Sequence, residues 1–286
     1  QLAALDECHN LRNHSNLWHS IVYQVTRDMP FCYGLTGTLF GHDLEEAWAQ
    51  LYIIDQGETF GPNLGMLRAA FYDSKPGAFK VVHTFRKDMT RKAAAMLRHR
   101  SIRYDESEVQ ELPARVVKQV LFDLSPAQHV QYINALQGLI NAGGKLMEMD
   151  AQWIRMRQIA SGFVSWEDDT GRHQVVFPVN PKLDHLLAII DEAQPSKVVV
   201  AYTYTESAQL VADRLRKEGV GFAWIYGGTK DKVAEKKRFQ TDPGCRVLLL
   251  NSEAGGTGVD GLQGVSWCLV FYECPCSPIV RQQTLK

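Results

Sequence analysis

Leu2-Ala3-Ala4-Leu5-Asp6-Glu7-Cys8-His9 is an apolar run that ends in two adjacent carboxylates, with a histidine two residues further on. A second apolar run, Phe31 to Leu35, ends in Thr36-Gly37-Thr38. Between the two, Ser15 or Asn16 can cap a helix that carries Trp18, Ile21, Val22 and Val25 at helical spacing, and Met29-Pro30 stops it. Beyond them, Asp43 can cap another helix with Leu44, Ala47, Trp48, Leu51 and Ile54 turned inward. Strand, helix, strand, helix at this spacing predicts an α/β fold with a parallel sheet covered on both faces, so both runs read as buried strands. Carboxylates placed where such a strand ends face the ligand crevice of an open sheet.

The same alternation returns near the other end. Val198 to Tyr202 reads as a buried strand. Thr205 reads as the cap of a helix with Glu206 in its first turn, Arg214, Arg216 and Lys217 in its last, and Gly219 beyond, the charge order a helix dipole favours. Phe222 to Tyr226, Arg246 to Leu250 and Trp267 to Phe271 read as further strands, with a helix over Lys230 to Phe239. This is a second βαβα series and again a parallel sheet.

The middle is less regular. Glycines and aromatics dominate as far as Phe79. Lys80 to Arg103 then carries eight basic residues (Lys80, Arg86, Lys87, Arg91, Lys92, Arg98, Arg100, Arg103) against one acid, Asp88. Such a run is either a solvated helix face or a surface that meets phosphates. Val116 to Leu124 reads as a strand. Ser125-Pro126 and Asn180-Pro181 each read as an N-cap followed by proline at the first helical position. The first of these helices is expected to run to Gly143-Gly144, and another covers Met149 to Phe163.

Bulk properties exclude several classes. The 286 residues are 45% apolar and 22% charged, a globular profile long enough for one large or two ordinary domains. No apolar run nears the roughly 20 residues of a membrane span, and no basic-then-apolar leader opens the sequence. A net charge of −1 excludes a uniformly basic nucleic-acid coat but not a local basic groove. The six cysteines (8, 32, 245, 268, 274 and 276) lie mostly in apolar segments, and Cys274-Pro275-Cys276 lacks the spacing and the second pair of a zinc site. An intracellular, reducing compartment is expected.

Asp6-Glu7-Cys8-His9 and Leu35-Thr36-Gly37-Thr38 resemble motifs II and III of helicase superfamily two, and the wording of the remainder resembles the Swi/Snf-like ATPases. Leu97-Arg98-His99-Arg100, Leu112-Pro113 and the Ser125-to-Tyr132 helix are similar to that family's connection between lobes. Asn251-Ser252-Glu253-Ala254-Gly255-Gly256-Thr257-Gly258-Val259-Asp260 resembles motif V, although the leucine after Asp260 falls one position late. Ser277 to Gln283 resembles the approach to motif VI. The resemblance implies two RecA-like lobes with parallel sheets, the first incomplete: 1–110 as the later part of the ATP-binding lobe with a basic helical extension, and 111–286 as the second lobe with a helical insertion at about 125–193.

It further implies ATP and Mg²⁺ as cofactors. Asp6 would hold Mg²⁺ through water and Glu7 would activate the attacking water. His9 would link the γ-phosphate site to the second lobe. Gly256, Gly258, Asp260 and Gln283 would contact ATP. Thr36, Thr38, Ser252, Arg98 and Arg100 would contact nucleic acid, expected to be double-stranded DNA bound without sequence preference. The phosphate loop Gly-x₄-Gly-Lys-Ser/Thr is not matched, since Gly144-Lys145 is preceded at the required position by Leu139 and followed by Leu146. That loop is expected before residue 1 and the motif VI arginines after Lys286, so that these residues alone are expected to be inactive. A chain of a different class, a non-catalytic module that binds nucleic acid or a partner, is the alternative.

Overall fold

In a computed structural model, which describes residues 1–37, 39, 43–77, 81–104, 108, 116–142, 145–148, 151–255 and 261–285, strands β1 (Leu2–Leu5) and β2 (Phe31–Gly34) pair in parallel, with Leu2 opposite Phe31 and Leu5 opposite Gly34. Helix α1 (Leu17–Thr26) connects them, and its Asn16 cap accepts the Trp18 N–H. Helix α2 (Leu44–Asp55) follows, with the Asp43 carboxylate accepting the Glu45 N–H. Helix α3 (Leu64–Phe71) leads into an antiparallel hairpin, β3 (Tyr72–Pro76) and β4 (Val81–Phe85), and then into helix α4 (Thr90–Arg100). Trp48, Leu51, Phe60, Leu67, Phe71 and Tyr72 form the core of this part. These elements belong to the first of two compact units, Gln1–Val116; the second is Val117–Lys286.

The expectation that β1 and β2 are buried is corrected. The sheet has two strands among the described residues, and α2 covers one face. Ala3, Leu5, Cys32 and Gly34 turn towards it, whereas Leu2, Ala4, Phe31 and Tyr33 are exposed. Gly34 shows how close the covering helix comes: a Cβ there would stand 2.7 Å from Ile54 Cδ1 and 2.9 Å from Cys8 Sγ. The inward face of α1 is corrected as well. Trp18, Ile21 and Val25 are exposed, and the helix instead buries His19 and Thr26. Two specific contacts select that register. His19 Nε2 bonds the Ala49 carbonyl oxygen at 2.9 Å, and the Tyr23 ring stacks on Tyr52.

Residues 116–124, expected as a strand, form none, because nothing among the described residues pairs with them. Helix α5 (Pro126–Leu136) starts at a full capping box: Ser125 accepts the Gln128 N–H, and the Gln128 side chain accepts the Ser125 N–H. It stops well before residue 143. The following residues pair as an antiparallel hairpin, β5 (Leu139–Ala142) with β6 (Lys145–Glu148), where a continued helix was expected. Residues 143 and 144 lie outside the described residues. Helix α6 (Gln152–Ala160) precedes a second hairpin, β7 (Phe163–Asp168) and β8 (Gly171–Val176), and helix α7 (Pro181–Glu192) begins at the Asn180 cap.

Strand β9 (Val198–Tyr202), helix α8 (Thr205–Lys217), strand β10 (Gly221–Ile225), helix α9 (Lys232–Thr241), strand β11 (Cys245–Asn251), the short helix α10 (Ser252–Gly255), strand β12 (Cys268–Phe271) and helix α11 (Pro278–Thr284) complete the unit. The four strands form one parallel sheet in the order β10-β11-β9-β12. Alternate residues serve opposite faces. Val198, Val200 and Leu249 pack with Leu186 of α7 and Val211 and Leu215 of α8, while Val199, Leu248 and Leu250 pack with Phe239 of α9. Strand β9 and residues 247–250 of β11 are therefore continuously apolar, as a sheet covered on both sides requires. Thr205 is the first helical residue rather than the cap. Tyr204 holds the cap position and makes no side-chain cap bond.

Candidate functional site

The chain leaves β1 through a left-handed turn. Glu7 has φ 48° and ψ 46°, a backbone conformation that non-glycine residues adopt at a cost of about 1–3 kcal/mol. Asp6 Oδ1 accepts the Glu7 N–H at 2.9 Å. The short 3₁₀ turn Cys8–Leu11 then drops into the unit, burying Cys8, His9 and Leu11. Cys8 N–H bonds the Leu35 carbonyl and Leu35 N–H bonds the Leu5 carbonyl, extending the β1–β2 pairing beyond both strands. Below, the Cys8 thiol approaches Gln50 Oε1 at 3.6 Å, and Gln50 Nε2 donates to the Glu46 carbonyl. Burial pushes the thiol up to about 11, which favours the protonated form of Cys8 among its packing contacts.

This anchoring leaves the two carboxylates at the carboxyl end of β1, exposed, and brings His9 against the end of β2. His9 Nδ1 lies 3.1 Å from Thr36 Oγ1 and 3.1 Å from Glu7 Oε2. The ring is buried while the Glu7 side chain is 50% exposed, so the carboxylate reaches solvent from a fixed base. Asp6, Glu7, His9 and Thr36 thus meet at the carboxyl ends of two adjacent parallel strands. Sequence reasoning found all four, but not the contact between His9 and Thr36, which are 27 positions apart. Thr38 lies outside the described residues.

The donor set suits Mg²⁺ in one respect. That ion takes one or two carboxylates and completes its shell with water and substrate phosphate, so a single exposed Asp6 is enough. Among the described residues no lysine or arginine pairs with Asp6, and no group of three or more His, Cys, Asp or Glu side chains could form an all-protein cage. All six cysteines are free thiols.

The remaining candidates are scattered. Arg98 and Arg100 stand on the exposed side of α4, and Arg100 is ion-paired with Glu58. Lys80, from the same basic run, lies outside the described residues, as do Gly256, Gly258 and Asp260. Ser252 opens α10 at the end of β11, is fully buried, and its hydroxyl has no hydrogen-bond partner among the described residues. In this conformation that hydroxyl does not reach solvent. Gln283 lies on α11. No helix among the described residues is long and apolar enough to cross a membrane.

No family model matches the chain. It is similar to the DNA repair protein rad8 of Schizosaccharomyces pombe, 29% identical over 84 residues that make up 29% of this chain and 7% of the relative. It is also similar to the "Probable global transactivator" of Orgyia pseudotsugata multicapsid polyhedrosis virus, 24% identical over 277 residues, covering 90% of this chain and 52% of that one. The chain therefore spans about half the length of the second relative and a small part of the first. Among solved structures it is similar to the Sulfolobus solfataricus SWI2/SNF2 ATPase core domain, with a TM-score of 0.44 and 15% identity over 95% of this chain and 56% of that one. It is similar also to the C-terminal part of the Fun30 ATPase domain, with a TM-score of 0.33 and 21% identity over 36% and 34% of the two chains.

Proposed function

We propose that the chain is part of an ATP-dependent DNA motor of the Swi/Snf type, with residues 1–110 contributing to one lobe and residues 111–286 to the other. The observation that carries this reading is the meeting of Asp6, Glu7, His9 and Thr36 at the carboxyl ends of β1 and β2. ATP with Mg²⁺ would supply the phosphoryl group and the cation that neutralises its charge. Asp6 would hold the cation through water. Glu7, half-exposed, would orient the attacking water, and His9 would hold the Glu7 carboxylate in place. Through Thr36, the state of that carboxylate would be felt in the segment leading to Thr38, proposed to face DNA. Gly256, Gly258, Asp260 and Gln283 would contact ATP from the second lobe, and Arg98 and Arg100 would add to the DNA surface.

The names of the similar proteins support DNA as the partner: one is a DNA repair protein and another a transactivator. Among the described residues, one apolar face of β1 and β2 is left exposed, which supports the proposal that another element of the parent protein covers it. A two-stranded sheet is rarely stable by itself. The test uses the longest natural polypeptide containing these residues. Glu7→Gln is expected to lower DNA-stimulated ATP hydrolysis by roughly 10²-fold or more while leaving ATP binding intact, the usual scale for loss of a group that handles the transferred proton. Turnover within about threefold of wild type would sink the reading. The 286 residues alone are expected to show no steady hydrolysis.

A further inference from the structure

Glu273 follows β12 and is 3% exposed. Its Oε2 accepts the Thr203 N–H at 3.0 Å, while Oε1 has no hydrogen-bond partner among the described residues. A buried carboxylate with half of its acceptor capacity unused is costly unless an opposite charge stands close. Lys182, in the first turn of α7, is a cation within reach of the Glu273 field. Its ammonium donates to Ser161 Oγ at 3.1 Å and lies 4.5 Å from the centre of the Tyr272 ring. Burial lowers the Lys182 pKa, and the field of Glu273 raises it again.

Four segments meet around this pair. Asn180, the cap of α7, donates to the Ser161 carbonyl at 3.1 Å and to the Tyr272 hydroxyl at 3.2 Å. Tyr272 in turn donates to the Ser161 carbonyl at 3.2 Å. The fit allows no side chain at Gly162, where φ is +101° and a Cβ would fall 2.0 Å from Asn180 Nδ2. From α6, the Arg157 guanidinium reaches the Cys274 carbonyl and the Cys276 thiol, and it sits 5.6 Å from the Tyr204 ring. The ends of β9 and β12, the turn after α6 and the start of α7 are thereby drawn together.

The place is informative. In open parallel sheets, the turn between a strand's carboxyl end and the next helix is where backbone N–H groups receive a ligand's anion. After β9 the Thr203 N–H is already taken, by a carboxylate of the chain itself. We propose that Glu273 is a positioning residue, a built-in anion that, balanced by Lys182, clamps the β9–α8 turn to the end of β12 and so sets the path of residues 274–277 into α11. The inference goes beyond the motor reading and does not depend on it.

The test is amide hydrogen exchange on the 286-residue chain, without nucleotide or DNA, so that its failure is separate from any failure of the motor reading. E273Q and K182M each remove one member of the proposed pair. Each is expected to speed exchange about tenfold in segments 203–205 and 274–280, while the central strands β9 and β11 stay protected. The double variant E273Q/K182M, a matched neutral pair, is expected to return both segments to within about threefold of wild type. Unchanged exchange in the single variants would overturn the proposal. So would acceleration spread evenly through the sheet, or a double variant no better protected than either single one. Should a single variant fail to fold, the double still decides: wild-type protection supports the clamp, and a double that also fails to fold overturns it.

Discussion

Gly34→Ala tests whether the carboxylate turn is held by packing from below. A Cβ at residue 34 would stand 2.7 Å from Ile54 Cδ1, 2.9 Å from Cys8 Sγ and 3.3 Å from Cys8 Cβ. The first two lie well inside van der Waals contact and the third is tight, and the Cys8 atoms belong to the turn that carries Asp6 and Glu7. Ile54 is partly buried on α2 against the cluster that contains Leu67 and Phe71, and Cys8 is buried, so both neighbours must shift within packed surroundings. Inserting one methyl group into a filled core costs about 1–3 kcal/mol. We expect Gly34→Ala to destabilise the first unit by that amount, read as a lowered urea midpoint at unchanged slope. Ile54→Val removes the Cδ1 atom and by itself costs about 0.5–1.5 kcal/mol. In the Gly34→Ala background it should instead recover part of the loss, giving a coupling energy of about 1 kcal/mol in a double-mutant cycle. Additive single effects, or a Gly34→Ala midpoint indistinguishable from wild type, would refute the claim that β2, α2 and the turn are packed to contact at this point.

Further outcomes follow from the same contacts. Burial is the main cause that lowers the His19 pKa below its usual value, opposed by the bond to Ala49. The unfolded chain therefore binds the extra proton first, and the first unit should lose stability as pH falls below about 6.5; His19→Gln should flatten that slope in denaturant titrations. Ser125→Ala removes half of the capping box of α5 and should cost about 0.5–2 kcal/mol in thermal unfolding of the second unit. If the basic helix α4 meets DNA phosphates, Arg98→Ala should weaken duplex binding alike for unrelated sequences and reduce the slope of log affinity against log salt by about 1, measured by fluorescence anisotropy. A slope unchanged from wild type would remove Arg98 from the interface.

Much of the local structure was legible because its causes are local. Asn16, Asp43, Ser125 and Asn180 announce helices since each cap bonds a backbone N–H two or three residues on. The apolar runs at 198–202 and 247–250 announce a doubly covered sheet since positions facing either side of it must be apolar. The same reasoning misjudged residues 139–148, where an apolar stretch that could extend a helix pairs with itself as a hairpin. It also placed a strand at 116–124, where no partner exists among the described residues to take its backbone bonds.

The sequence by itself determined that Asp6 and Glu7 stand at the end of a strand in an α/β chain, because strand endings and residue types are properties of a few consecutive positions. Only the tertiary structure decided what meets them. His9 reaches Thr36 because β1 and β2 are neighbours in register. Glu273, which no local pattern singles out, is a buried carboxylate because β9, β12, α6 and α7 converge near it. Cooperation between residues 27 or 70 positions apart depends on which strands lie side by side and how deeply they are covered, and no short stretch of sequence contains that information.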